Sequence, residues 1–173
     1  ELDSRRGEGT IARFALPMLD EGASPEEPSL GQGSHGQRWR GRETILVVDD
    51  DPVSLRDASE ILEKYGYLVE IAATPREALQ RLRHHPAVDL VLLDMVLPGW
   101  NGPEVLERIL RHWPGQRVLM VSPYPLREQE DQAMRIGAVG LHRKPFLDPD
   151  AAKAVRSALD QPPPASMLTG PVR

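Results

Sequence analysis

Residues 44–52 of this chain read TILVVDDDP, and a second stretch, residues 88–94, reads VDLVLLD. In both stretches a run of Val, Ile and Leu ends on aspartate. Such a run, bounded by turn residues, is typical of a strand buried on both faces of a parallel sheet. Because parallel strands end at the same edge of their sheet, the aspartates after these two strands are expected to lie close together.

Strand and helix patterns alternate along residues 44–160. The strands are predicted at residues 44–48, 67–71, 89–93, 117–121 and 138–142. Segments between them carry apolar residues at helical spacing, as in Val105, Leu106, Ile109 and Leu110. Such alternation predicts an α/β fold, a doubly wound five-stranded parallel sheet with helices on both faces. We expect the strand order 2-1-3-4-5, with the first strand near the centre.

Composition excludes several classes of protein. Cysteine is absent, so disulfides and thiolate metal sites are excluded. The net charge of −5 comes without the basic patch of a nucleic-acid binder. No apolar stretch approaches the roughly 18 residues that span a bilayer. We therefore expect no nucleic-acid partner, no membrane contact by this segment and a cytoplasmic location.

Changes in composition mark the domain boundaries. Ten of the 23 residues from Asp20 to Arg42 are Gly, Pro or Ser, which predicts a linker over residues 20–42. The main domain is then expected over residues 43–160. Beyond it, Pro162, Pro163 and Pro164 stop any helix, and residues 161–173 are expected to form a disordered tail.

The predicted carboxyl edge of the sheet collects charged groups. Asp49, Asp50 and Asp94 would converge there, and their mutual repulsion would be relieved by Mg²⁺ or Mn²⁺. The stretch GLHRKPF, residues 140–146, adds the ammonium of Lys144 at the end of the last strand. The sequence therefore predicts a site for a hard cation, next to a lysine whose positive charge suits a phosphate-sized anion. Asp51, before Pro52, is instead expected to cap the following helix.

These motifs, with VLMVS at residues 118–122, resemble in order and spacing the receiver domain of two-component response regulators. The resemblance covers roughly Glu43 to Asp160 and implies a flavodoxin-like fold. It implies that Asp94 accepts a phosphoryl group from a phosphohistidine. Asp50 and Asp94 would ligate Mg²⁺ directly, Asp49 would act largely through water, and the carbonyl of Val96 would be a further ligand.

Other site roles also follow from the resemblance. The hydroxyl of Ser122 would meet the phosphoryl oxygen, and Lys144 would pair with the phosphate, next to a cis bond to Pro145. Two positions depart from the family. Ser122 is followed by the sequence Pro-Tyr-Pro, whose prolines restrict the loop around Tyr124. Leu141 occupies the position of the family's switch aromatic. Val96 and Tyr124 flank the approach of water, so slow loss of phosphate is expected.

The amino-terminal segment carries a second resemblance. Residues 3–17, with the GEGT turn at 7–10 and a Leu-Pro ending, resemble the last hairpin of a histidine-kinase ATP-binding domain. Residues 1–19 are therefore interpreted as a remnant of that domain, and the parent as a hybrid sensor histidine kinase. The segment lacks the nucleotide-contacting motifs, so we expect a phosphoacceptor with slow autophosphatase activity, not a kinase in itself. Its partner would be a phosphohistidine-bearing kinase or phosphotransfer domain, with the chain a monomer or weak dimer.

Two other functions compete with this interpretation. A Mg²⁺-dependent phosphohydrolase can also use an aspartate nucleophile and a lysine, but such enzymes commonly carry a carboxylate two residues after the nucleophile, where Val96 stands here. A phosphorylation-independent binding domain could retain a vestigial acidic site. The complete set of Asp49, Asp50, Asp94 and Lys144 argues against that alternative.

Overall fold

The computed structural model describes residues 2–5, 9–12, 38–85, 87–124 and 127–164. The chain divides into two units, residues 1–32 and residues 33–173. In the first unit, β1 (Leu2–Arg5) pairs antiparallel with β2 (Gly9–Ala12). An antiparallel pair of strands is thus present in the predicted kinase remnant, of which residues 1, 6–8 and 13–19 lie outside the described part.

The second unit is built on a five-stranded parallel sheet. Its strands are β3 (Thr44–Val48), β4 (Leu68–Ala72), β5 (Val88–Asp94), β8 (Arg117–Ser122) and β9 (Gly140–Arg143), and a small antiparallel pair, β6 (Val96–Leu97) and β7 (Trp100–Asn101), follows β5. The sheet order is β4-β3-β5-β8-β9. This order confirms the predicted 2-1-3-4-5 arrangement and the α/β fold.

Helices connect the strands and cover both faces of the sheet. They are α1 (Pro52–Lys64), α2 (Pro75–His84), α3 (Gly102–His112), α4 (Arg127–Ile136) and α5 (Asp150–Asp160). Predicted strand bounds agree within one or two residues. The last strand begins at Gly140 rather than residue 138, because the N–H groups of Gly137 and Ala138 both donate to the carbonyl of Ala133 and close α4.

The sheet separates two apolar clusters. Leu46 and Val48 face a cluster that includes side chains of α2, α3 and α4, whereas Ile45 and Val47 face one built with α1 and α5. All four side chains are at most 4% exposed. Burial on both faces explains why the strand sequence is continuously apolar instead of alternating.

The start of α1 is set by Asp51. Its carboxylate accepts hydrogen bonds from the N–H groups of Val53 and Ser54, and Pro52 occupies the first turn. These bonds satisfy backbone donors that the helix itself leaves unpaired. The predicted capping role of Asp51 is therefore confirmed, and the beginning of α1 is held beside the acidic edge.

Packing at the amino edge of the sheet extends into the predicted linker. The carbonyl of Trp39 accepts a hydrogen bond of 2.8 Å from Tyr67 Oη, and Gly41 N–H donates to the carbonyl of Tyr65. Beyond α5, the carbonyl of Gln161 accepts from Arg117 Nε. Residues 165–173 of the predicted tail lie outside the described part. None of the helices described is long and apolar enough to cross a membrane.

Candidate functional site at the carboxyl edge of the sheet

Three carboxylates meet where β3 and β5 end. Asp49 and Asp50 directly follow β3, and Asp94 is the last residue of β5. One oxygen from each lies within 4.8 Å of the others. Asp49 and Asp94 are buried, at 5% and 4% exposure, while Asp50 is exposed. The predicted convergence of these side chains follows from parallel pairing of β3 with β5.

Backbone donors orient the two buried carboxylates. Asp51 N–H donates to Asp49 Oδ1 at 3.0 Å, and Val96 N–H donates to Asp94 Oδ1 at 2.9 Å. Each bond holds one oxygen and turns the other toward the shared site. Both acids are therefore fixed by the first residues of the loop that follows them.

Lys144 joins the carboxylates from the end of β9. Its Nζ lies 2.5 Å from Oδ2 of both Asp49 and Asp94. The lysine backbone N–H donates to the carbonyl of Ser122 at 2.8 Å, which ties the residue to the neighbouring strand β8. The Lys144–Pro145 bond is cis, as the resemblance implies. Three carboxylates and one ammonium leave two formal negative charges, which suits a divalent cation.

Burial and pairing compete in the pKa values of this site. Burial opposes the charged form of Lys144, but hydrogen bonds to Asp49 and Asp94 outweigh it and raise the pKa of the lysine. At Asp49 burial is the largest effect and raises the pKa, although Lys144 and Asp51 N–H act in the other direction. An ion pair alone would lower the pKa of the acid. The raised pKa of Asp49 therefore marks a carboxylate whose charge is incompletely compensated.

A tight hairpin shapes the loop after Asp94. β6 and β7 pair antiparallel, with Gly99 at φ +72° in the turn between them. Gly102 N–H donates to the carbonyl of Met95 at 3.2 Å, and a Cβ on Gly102 would lie 2.6 Å from Met95 Cα. The residue must therefore be glycine for the chain to fold back here. Sequence reasoning missed this hairpin, although Gly99 and Gly102, on either side of Trp100 and Asn101, indicate a turn.

The remaining predicted site residues lie around this edge. Ser122 is buried at the end of β8, and Leu141 on β9 packs against the cluster shared with α2, α3 and α4. Val96 is 63% and Tyr124 is 78% exposed. Pro125, in the predicted restricted loop, lies outside the described residues.

A cavity that sequence reasoning missed opens beside the acids. Its volume is about 130 Å³, and Asp49, Asp94 and Lys144 form its polar end. The start of α1 forms one wall with both apolar and polar side chains, among them Val53 and Asp57, and residues 145–147 form the other. The site therefore continues from a charged edge into a mostly apolar recess.

The protein is an α/β protein with an open parallel sheet, and the carboxylates and the lysine at the carboxyl edge of the sheet suit a divalent cation and a phosphate-sized anion. A family model described as the response regulator receiver domain matches residues 45–156. The chain belongs to the receiver domain family of two-component systems. Receiver domains accept phosphoryl groups, bind Mg²⁺ at an acidic pocket and interact with histidine kinases or phosphotransfer partners.

Individual relatives agree with the family. The chain is 33% identical over 118 residues to Sporulation initiation phosphotransferase F of Bacillus subtilis, covering 68% of this chain and 94% of that protein. It is 26% identical over 164 residues to Sensor kinase CckA of Brucella abortus, covering 92% of this chain and 17% of the kinase. The chain thus spans 20% or less of the length of several curated relatives.

A solved structure confirms the fold. The CheY-like response regulator receiver domain protein of Methanospirillum hungatei JF-1 superposes with a TM-score of 0.65 and 35% sequence identity. The match covers 69% of this chain and 95% of that one. The flavodoxin-like arrangement predicted from the resemblance is therefore confirmed for the main domain.

Proposed function

We propose that this domain is the phosphoacceptor of a phosphorelay and that Asp94 receives the phosphoryl group from a phosphohistidine. The observation that carries the proposal is the meeting of three carboxylates within 4.8 Å, with Lys144 paired to two of them. Asp94 ends the central strand β5, and its Oδ1 is already held by Val96 N–H. Its Oδ2 is paired with Lys144 and is the oxygen we assign as the nucleophile.

The oxygen donors at this edge fit Mg²⁺ or Mn²⁺, which prefer carboxylate, carbonyl and water ligands. Asp50 and Asp94 would hold the ion directly, Asp49 largely through water, and the Val96 carbonyl would add a ligand. When bound, the ion neutralises charge that develops on the phosphoryl oxygens. The raised pKa of Asp49 supports this assignment, because a nearby cation would stabilise its charged form.

Three side chains have separate roles in the proposed phosphoryl transfer. A carboxylate oxygen of Asp94 forms the new bond to phosphorus while the phosphorus–nitrogen bond of the donor breaks, and the electron pair of that bond stays on the imidazole nitrogen. Lys144 leaves its carboxylate partners to pair with a phosphoryl oxygen, and the Ser122 hydroxyl donates to another. Transfer of this kind needs positioning and charge stabilisation more than covalent assistance.

Acetyl phosphate tests the assignment without a protein donor. With Mg²⁺, intact mass measurement should show one added phosphoryl group on the wild type and none on Asp94→Asn. Asp57→Asn is the matched control, because Asp57 lines the same cavity on an exposed part of α1. Labelling of Asp94→Asn equal to wild type would refute Asp94 as the acceptor.

We further propose that the parent protein is a hybrid sensor histidine kinase that works in the cytoplasm, with this receiver at its carboxyl-terminal side. The paired strands β1 and β2 and the similarity to Sensor kinase CckA, which extends over 92% of this chain, support the proposal. The segment itself is expected not to bind ATP. A natural chain extended toward the amino terminus should transfer label from ATP to a histidine and then to Asp94. Absence of labelling from ATP in that chain would contradict the proposal.

A further inference from the structure

Lys144 begins the connection between β9 and α5, and we call its residues 144–148 the strap. The strap is attached to the sheet at its beginning, where Lys144 N–H donates to the carbonyl of Ser122. Its middle is only partly packed. Phe146 packs against the apolar cluster of the α1 and α5 face and against the ring of His142, whereas Leu147 is 57% exposed and a cavity of about 130 Å³ lies between residues 145–147 and α1. Polar contacts at the far end therefore add to the packing of Phe146 in holding the strap.

The far end of the strap is fastened to the end of α1. Tyr65 Oη donates a hydrogen bond to Oδ1 of Asp148, and Lys64 Nζ lies 2.5 Å from Oδ2 of the same carboxylate. The Asp148 side chain is 29% exposed, and Lys64 is 66% exposed. These are the polar side-chain contacts between strap and helix in the described residues.

Tyr65 is a rigid anchor for this contact. The residue is 7% exposed, packs in the apolar cluster of the α1 and α5 face, and caps α1 with its backbone N–H. Burial first, and then the Asp148 carboxylate, raise the pKa of Tyr65 to about 12, so its phenol remains a donor at neutral pH. Hydrogen bonds from Lys64 and Tyr65 lower the pKa of Asp148, which keeps it an acceptor.

We infer that Asp148 is a positioning residue for phosphoryl transfer, since its hydrogen bond from Tyr65 holds the strap so that Lys144 reaches Asp94. The inference rests on the proposed function, in which Lys144 pairs with the phosphoryl group. Asp148 touches neither the carboxylates nor the phosphoryl group and acts through Lys144. α1 thereby links both ends of the site, because Asp51 caps its beginning beside the acids and Tyr65 holds the strap near its end.

This role predicts a specific separation of two affinities. Lys144 belongs to the phosphoryl site, whereas the proposed metal ligands are Asp49, Asp50, Asp94 and the Val96 carbonyl. Loosening the strap should therefore weaken a phosphoryl analogue without weakening Mg²⁺. Mg²⁺ affinity should stay the same or rise, because Lys144 pairs with two of the same carboxylates. A purely structural role for Asp148 would lower stability without separating the two affinities.

Calorimetric titration with Mg²⁺, and then with beryllofluoride at saturating Mg²⁺, tests the inference on the whole chain. Tyr65→Phe and Asp148→Ala remove the hydrogen bond, and each should weaken beryllofluoride binding about fivefold or more, as expected for a coupled position. Asp148→Asn keeps an oxygen acceptor for Tyr65 and should restore most of the affinity. Lys64→Met is the control, because it removes the exposed ion pair alone and should leave both affinities near wild type.

Unchanged beryllofluoride affinity in Tyr65→Phe and Asp148→Ala would overturn the inference. A parallel loss of Mg²⁺ affinity would also overturn it, because that result means general damage to the acidic edge. Failure of the wild type to bind beryllofluoride with Mg²⁺ would instead reject the proposed function. Thermal melting of every variant identifies any that fail to fold. Asp148→Asn preserves the size of the side chain and the acceptor oxygen, so its beryllofluoride affinity can be compared with wild type even if Asp148→Ala does not fold.

Discussion

Nζ of Lys144 lies 2.5 Å from Oδ2 of Asp94, where the lysine side chain is 19% and the aspartate side chain 5% exposed. The same ammonium lies 2.5 Å from Asp49. One cation thus compensates two buried acids. Under the proposed function, this ion pair would open when a phosphoryl group binds.

Lys144→Gln should destabilise the metal-free domain by about 3 kcal/mol, because it leaves two buried carboxylates without a cation. Mg²⁺ should recover part of this loss by binding the same carboxylates. Urea unfolding with EDTA and with millimolar Mg²⁺ measures both effects. Equal stability of variant and wild type in EDTA would show that the buried pair contributes nothing.

Asp49→Asn should raise the melting temperature of the metal-free domain at neutral pH. Because the pKa of Asp49 is raised on folding, the folded state holds its proton more tightly than the unfolded state. Stability is therefore lost as pH rises from the unfolded value, about 4, through the folded pKa, and the cost is fully present above the folded pKa. Asparagine avoids that cost.

The advantage of Asp49→Asn should shrink toward pH 4 and should reverse when Mg²⁺ stabilises the wild type more than the variant. Thermal melts between pH 4 and 8, with EDTA and with Mg²⁺, check the sign. A variant less stable than wild type at pH 7 in EDTA would contradict the assigned direction of the pKa shift.

Gly102→Ala should cost about 2 kcal/mol, the range for an overpacked site, because its Cβ would lie 2.6 Å from Met95 Cα. The cost falls on the loop after Asp94, so Mg²⁺ affinity should fall as well. Gly115→Ala is the control, since its Cβ would meet nothing within 4 Å. Chemical unfolding that shows equal stability for the two variants would contradict the close approach of Gly102 to Met95.

Replacing Val96 with Asn and Tyr124 with Glu should accelerate loss of phosphate about tenfold, a change of roughly 1.4 kcal/mol in the barrier. Hydrolysis requires a water in line with phosphorus, and neither native side chain orients water well. The time course of intact mass after removal of acetyl phosphate measures the lifetime. Decay no faster than wild type would exclude shielding by these two side chains.

The fold was predictable from the sequence because the apolar runs that indicate individual strands also determine how the whole sheet is covered. A run such as residues 45–48 is apolar on both faces, and this requires a parallel sheet covered on both sides by helices. Parallel pairing in turn places Asp49 and Asp94 at the same edge. The core of the candidate site was therefore predictable from periodicity and strand ends.

Features that depend on distant side chains were not predictable in this way. Tyr65 and Asp148 are separated by 83 residues, and nothing in local periodicity pairs a helix end with a loop. The contact of Trp39 with Tyr67 is of the same kind, and it draws part of a glycine-rich linker into the packed domain. The cavity beside the acids likewise depends on where the strap lies, not on its composition.

The contacts of Trp39 and Gly41 fix where the preceding part of the chain joins the domain, which is at the amino edge of the sheet. The chain joins the domain at the start of β3, whereas Asp94 ends β5, about 20 Å away along a seven-residue strand. Under the proposed function, a donor that precedes Trp39 in the chain joins the domain at the edge of the sheet opposite its acceptor. The rate of transfer from such a donor would depend on its effective concentration at Asp94, whereas a free donor has no such constraint, so the two rates should differ.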